Sequence, residues 1–194
     1  LTNDLQQTPD ERLAVSSRAG DFAAFEELVR RYENRIYSFL FQLSRHEADA
    51  REATQDTFVQ AFKSIAQYDP GRCFASWLFT IARRKGIDCF RARIPLGGEE
   101  IPEGSDTATP SDLLSQREDS QGLWKQARAA LPDVQFQALW LRYAEEMEIT
   151  QIAAVLGKSQ THVKVLLFRA RQKLASRLEA PRALPFPMAK GAIP

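Results

Sequence analysis

Between Gly20 and Gln67 apolar side chains recur twice at helical spacing. Along FAAFEELVRRYENRIYSFLFQL the stripe is Phe22, Phe25, Val29, Tyr32, Ile36, Phe39 or Leu40, and Leu43, with Asp21 placed to cap its start. Ser44 to Glu47 interrupts the pattern, and Ala50, Ala53, Thr57, Phe58, Ala61, Phe62 and Ile65 resume it. Tyr68-Asp69-Pro70-Gly71 reads as a turn, because proline fixes one dihedral and glycine tolerates an unusual one. A third helix follows, with Leu78, Ala82, Gly86 and Cys89 on one line. Leu123, Trp124, Ala127 and Leu131 begin a second helical set, and Pro132-Asp133 resets the chain into VQFQALWLRYAEE. From Met147 to Leu178 the pattern is helix, turn at Gly157, helix: Ile152, Ala153, Val155 and Leu156, then Val163, Leu167, Ala170, Leu174 and Leu178. Thr150 and Ser159 are the expected caps of these two helices, and Gly157 supplies the left-handed residue between them.

The last helix carries apolar residues off its stripe. Val165 and Phe168 share the outward face with Thr161, Lys164 and Arg169, where a plain solvated face has no use for them. From Ile149 to Leu178 there is no Asp or Glu, while Lys158, Lys164, Arg169, Arg171, Lys173 and Arg177 are cationic. A DNA major groove suits such a face: it admits one helix, offers phosphates and guanine edges to cations, and presents thymine methyls to apolar groups. An ordinary basic hairpin, or one buried against another protein, is the simpler alternative.

Charge also divides the rest of the chain. Glu47, Asp49, Glu52 and Asp56 crowd the first turns of the second helix, where the helix dipole alone accounts for acids. In FASWLFTIARRKGIDCFRAR aromatic and cationic residues interleave, a mixture suited to single-stranded nucleic acid, although Phe74 and Trp77 equally suit a core. Residues 94–119 hold seven acids against Arg117, with three prolines and three glycines, and lack apolar periodicity. That segment is either a solvated tether or a nucleic-acid mimic. The polar first ten residues and the proline-rich end, with four prolines after Glu179, are expected to be unstructured. The fold class is all-α: two small helical bundles joined by an acidic flexible linker, the C-terminal one with a helix-turn-helix.

A net charge of +1 over 194 residues does not itself mark a nucleic-acid binder, so the inference rests on distribution. The chain has no run of roughly 20 apolar residues to span a bilayer and no signal-like start, which makes the cytoplasm the expected location. Cys73, Cys89, His46 and His162 make neither a disulfide framework nor a zinc spacing, and no paired carboxylates suggest hydrolysis. No metal, cofactor, small-molecule substrate or enzymatic activity is expected.

Three passages in order resemble the extracytoplasmic-function sigma factors of bacterial RNA polymerase: DAREATQDTFVQAFKSI at 49–65, FASWLFTIARRKGIDCFRAR at 74–93, and LPDVQFQALWLRYAEEMEITQIAAVLGKSQTHVKVLLFRARQKL at 131–174. The likeness spans about residues 10–179. It implies a flexible N-terminus at 1–10, a region 2 domain at 11–94, a linker at 95–114, a region 4 domain at 115–179 and a tail at 180–194. It implies that Asp49, Glu52, Gln55, Asp56 and Phe58 meet the clamp helices of the polymerase's largest subunit. It assigns Tyr68, Arg72, Cys73, Phe74, Arg84, Asp88 and Arg91 to the minus-10 element and its melted non-template strand. Arg142, Thr161, Lys164, Val165, Phe168, Arg169 and Arg171 fall to the minus-35 duplex. An anti-sigma partner and a stress signal are also implied. Relatives usually carry Ser and Arg where this chain has Val165 and Leu166, Asn where it has Arg84, and an RGE-like form in place of DPGRC, so its preferred promoter bases are its own. The alternative reading is a helix-turn-helix regulator without a sigma role, which needs neither the acid-bearing nor the aromatic-cationic helix.

Overall fold

The computed structural model describes residues 2–93 and 117–177, and every element among them is helical. The first bundle comprises α1 (Thr2–Gln7), α2 (Asp10–Arg18), α3 (Phe22–Ser44), α4 (Glu47–Ser64) and α5 (Phe74–Arg93), with one 3-10 turn at Ile65–Gln67. Asp21 caps α3 as its sequence position implies, its Oδ1 accepting from Ala23 N–H at 3.0 Å and Ala24 N–H at 3.2 Å. Helix α3 ends at Arg45, which takes the left-handed conformation with φ 55° and returns its N–H to the Phe41 carbonyl. Helix α4 buries small residues, Ala50, Ala53, Thr54, Thr57 and Ala61, which lets α3 and α5 approach closely. Large residues fill the space opposite: Leu28, Tyr32, Ile36, Phe39 and Leu40 from α3, Phe74, Leu78 and Phe79 from α5. Burying each of these contributes about 1.5–3 kcal/mol.

Two expectations need correction. The core stripe of α3 is rotated: Ala24, Leu28, Tyr32, Ile36, Phe39 and Leu40 face inward, whereas Phe22 is 71% exposed and Phe25 and Val29 are half-buried. Helix α3 is apolar on more than one side: the Ala24 and Leu28 face is the one buried, while the Phe22 ring lies at the surface against Phe62 of α4. Residues 5–10 are not a loose end. Arg31 reaches back from α3 to donate to the Leu5, Gln6 and Thr8 carbonyls at 2.7–2.9 Å and pairs with Asp10, satisfying acceptors at the end of α1. Asp10 also accepts from the Tyr32 hydroxyl. The 95–114 linker and the 180–194 tail lie outside the described residues.

The second bundle comprises α6 (Arg117–Ala130), α7 (Asp133–Tyr143), α8 (Ile149–Leu156) and α9 (Gln160–Arg177). Trp124, Phe136 and Trp140 cluster at its base, the two indoles 4.8 Å apart, under Leu139, Leu141, Ile152, Val163 and Leu167. The bundles touch. Helix α8 lies against α5, and polar links among the described residues join the halves. Arg35 donates to Glu145 at 2.8 Å, Arg83 to Gln137 Oε1 at 2.8 Å, Arg128 to the Gln42 carbonyl at 2.9 Å, and Ser76 to the Gln151 carbonyl at 3.2 Å. The Glu145 side chain is buried, which pushes its carboxyl pKa upward, while Arg35 and the Trp140 indole N–H pull it back.

Candidate nucleic-acid interface

Helix α8 starts on a capping box. The Glu148 side chain accepts from the backbone three residues on, and Gln151 Oε1 accepts from Glu148 N–H at 2.8 Å. Thr150, the expected cap, therefore sits inside the first turn. Gly157 ends α8 at φ 62°, ψ 41°, and Ser159 Oγ accepts from His162 N–H at 3.2 Å to open α9, both as the sequence implies. The inward stripe of α9 is Val163, Leu166, Leu167, Ala170 and Leu174. Its outward face carries Thr161, Lys164, Val165, Phe168 and Arg169, with Val165 40% and Phe168 59% exposed. Arg171 is half-buried and bonds the Leu167 carbonyl, and Arg142 is exposed while donating to the Met147 carbonyl. The result is an acid-free convex helix with cations around two exposed apolar side chains, a shape and charge suited to a duplex groove.

Around α5 the second constellation forms. Arg72, Arg84 and Asp88 are exposed, and Cys73 is half-buried. Arg91 belongs to the last turns of α5, and its side chain lies outside the described residues. Asp69 Oδ1 accepts from Gly71 N–H at 2.9 Å and the Asp69 carbonyl from Arg72 N–H at 3.0 Å, so the turn is built as its residues imply. Tyr68 and Phe74 are each only 1% exposed. They stack on one another and on Trp77 at 5.3–5.7 Å, so neither ring is available to a base. The alternation of aromatic and cationic residues suggested stacking platforms, but these rings are packed by α2 and α3, contacts that local pattern does not reveal. Arg83 faces α7 rather than solvent, and burial followed by the charge of Arg84 lowers its pKa.

On α4, Glu52, Gln55 and Asp56 are exposed and Phe58 is half-buried. Asp49 is turned inward and stands 3.3 Å from His46 Nδ1, so its carboxylate is not part of the outward acid face. Sequence reasoning missed an apolar patch beside that face: Phe62 packs against Phe22 at 5.8 Å and Phe25 at 5.1 Å, with Val59 also exposed. The signal was present in the surplus of aromatic residues around Phe22 and Phe62.

Two family models match the chain, Sigma-70 region 2 over residues 28–93 and Sigma-70 region 4 over residues 123–174. RNA polymerase sigma factor YlaC of Bacillus subtilis is 32% identical over 164 residues, covering 82% of this chain and 94% of that protein. ECF RNA polymerase sigma factor SigE of Mycolicibacterium smegmatis is 33% identical over 173 residues, 85% of this chain and 66% of SigE. The chain belongs to the extracytoplasmic-function sigma factors. Among solved structures it is similar to CnrH in complex with the cytosolic domain of CnrY, at TM-score 0.67 and 26% identity, covering 89% of this chain and 99% of that one. It is also similar to the sigma factor RpoE of Bartonella quintana in complex with the anti-sigma factor NepR, at TM-score 0.68 and 25% identity, covering 81% and 98%.

Within this sigma factor, the region 2 match takes in α4 and α5 with most of α3, and the region 4 match ends inside α9. Helices α1 and α2 precede both. No helix among the described residues is long and apolar enough to cross a membrane, and no group of three or more His, Cys, Asp or Glu among them could hold a metal ion.

Proposed function

We propose that this sigma factor binds core RNA polymerase through α4, docks the minus-35 duplex through α9, and recognises and helps open the minus-10 element through α5 and the 69–73 turn. The observation that carries this reading is the exposed Glu52, Gln55 and Asp56 face beside the Phe22 and Phe62 patch. A helix-turn-helix regulator requires no such surface, whereas a polymerase subunit does. On α9, Lys164 and Arg169 meet phosphates or guanine edges, and Val165 and Phe168 meet thymine methyls. Leu166 belongs to the core, so of the two departures from relatives only Val165 alters what the helix reads. On region 2, exposed Arg72, Arg84 and Asp88 remain the minus-10 contacts, with Cys73 and Arg91 beside them. Tyr68 and Phe74 shape that surface from beneath.

The protein makes no covalent change to its partners and works in the cytoplasm, where polymerase and promoter are. The complex of the similar RpoE structure with the anti-sigma factor NepR supports a partner of that kind here, released by a stress signal. Transcription with purified core polymerase tests the reading. Asp56→Arg abolishes the polymerase complex on sizing and the promoter-dependent transcript, while the minus-35 duplex still binds. Undiminished transcription by the variant defeats the α4 assignment.

A further inference from the structure

Helix α5 begins without a conventional cap. Cys73 stands immediately before it, where Ser, Thr, Asp or Asn accepts from the second or third amide of a helix, and a thiol is a weak acceptor. The first N–H of the helix belongs to Phe74, a residue removed from solvent, and a buried amide without an acceptor is costly. Its acceptor comes from a distant element. Glu11, in the first turn of α2, places Oε1 3.2 Å from Phe74 N. The carboxylate also opposes the positive end of the α5 dipole.

Glu11 is itself well held. Its neighbour Asp10 is bound by Arg31 and Tyr32, and Leu13 and Ala14 on the next turn of α2 are fully buried. The turn before α5 is tied to the same cluster: the Tyr68 hydroxyl donates to the Arg72 carbonyl, and the Tyr68 ring packs on Phe74. Burial, then the nearby charge of Glu11, push the Tyr68 phenol up to about 12, so it stays a donor at physiological pH. Above this cluster only the polar shell of the turn, Asp69 to Arg72, faces solvent.

We propose that Glu11 is a positioning residue for promoter opening: by accepting the Phe74 N–H it fixes the start of α5, and with it the 69–73 turn proposed above to engage the minus-10 element. This rests on the minus-10 role proposed for that turn. Helix α2 lies before the region 2 match, which begins at residue 28, so that match does not take in Glu11.

The test separates binding from opening, using the full chain with core polymerase. Polymerase binding is read by sizing, minus-35 binding with a short duplex, and strand opening by permanganate reactivity of unpaired thymines. Glu11→Ala is expected to slow opening roughly five- to tenfold, the effect of losing about one capping interaction, while both binding steps stay within about twofold. Glu11→Gln keeps an acceptor and is expected to restore opening to within about twofold of the parent. Parent-like opening by Glu11→Ala overturns the proposal, as does a Glu11→Gln variant no better than Glu11→Ala. Loss of polymerase and duplex binding together with opening also overturns it, by revealing a general folding role. If the parent protein opens no promoter, the minus-10 reading fails first.

Discussion

At the scale of single residues, the outward face of α9 separates two effects that share one helix. Arg169 is exposed among other cations, so its proposed partner is a phosphate or a base edge, and truncation removes one charge from the interface. Arg169→Ala is expected to weaken minus-35 duplex binding and to reduce the slope of log affinity against log salt by about 1, measured by titration at several salt concentrations. An unchanged slope removes Arg169 from the phosphate contacts. Glu27 presents a different case. Its carboxylate accepts two bonds from Arg30 and one from Arg31 at 2.7–2.8 Å, and these, Arg30 first, hold its pKa down to about 2. The folded value lies below the ordinary 4.5, so the stabilisation is complete above pH 4.5 and disappears as pH falls towards 2. Glu27→Gln is therefore expected to lower the melting temperature at pH 7 and to converge with the parent near pH 2. Equal differences at both pH values count against the ion pairs. The exposure of Val165 and Phe168 was legible because they break the apolar stripe. The burial of Asp49 and Tyr68 was not, because it depends on how α4 and the 3-10 turn after it pack against other helices, whereas a core place for Phe74 was one of the two readings its sequence allowed.

The helices themselves vary in how far local pattern determines them. Helices α3, α4 and α9 are long, periodic and begin at recognisable residues, and the structure places them accordingly. Short α1 and α2 carry too few apolar positions to be recognised by period, and their place is secured by Arg31 from another helix. Helix α3 shows the complementary difficulty. With apolar residues on two faces, periodicity identifies the helix but not which face meets the core and which remains outside. The turn between α8 and α9 depends chiefly on one backbone conformation. A Cβ added at Gly157 meets nothing within 4 Å, yet φ is +62°, so Gly157→Ala isolates the backbone effect. A loss of roughly 1 kcal/mol in denaturant unfolding is expected, with minus-35 affinity retained once the protein is folded. No loss of stability contradicts the left-handed turn.

Across the whole molecule, the packing of α8 against α5 sets the two proposed DNA surfaces on a body too small for both promoter elements. Elements 25 base pairs apart on duplex are separated by about 85 Å, whereas a compact chain of 194 residues has a radius of gyration of about 16 Å. Simultaneous engagement therefore requires the halves to part, and Arg35 with buried Glu145 is an ionic link between them. Arg35→Ala is expected to cost about 2 kcal/mol or to increase the radius of gyration by X-ray scattering. That figure is kept below the value for a fully buried pair because Arg35 is 40% exposed. The exchange Arg35→Glu with Glu145→Arg is expected to recover much of the compactness, and an Arg35→Ala protein as stable and compact as the parent shows that the link is dispensable. The Phe22, Phe62 and Val59 patch has a colloidal consequence. Three exposed apolar side chains on a chain of net charge +1 leave little repulsion between copies, so in isolation this protein is expected to be a poorly soluble, self-adhering species. Its shelf life in a test tube then depends less on how well it folds than on whether something else occupies that patch.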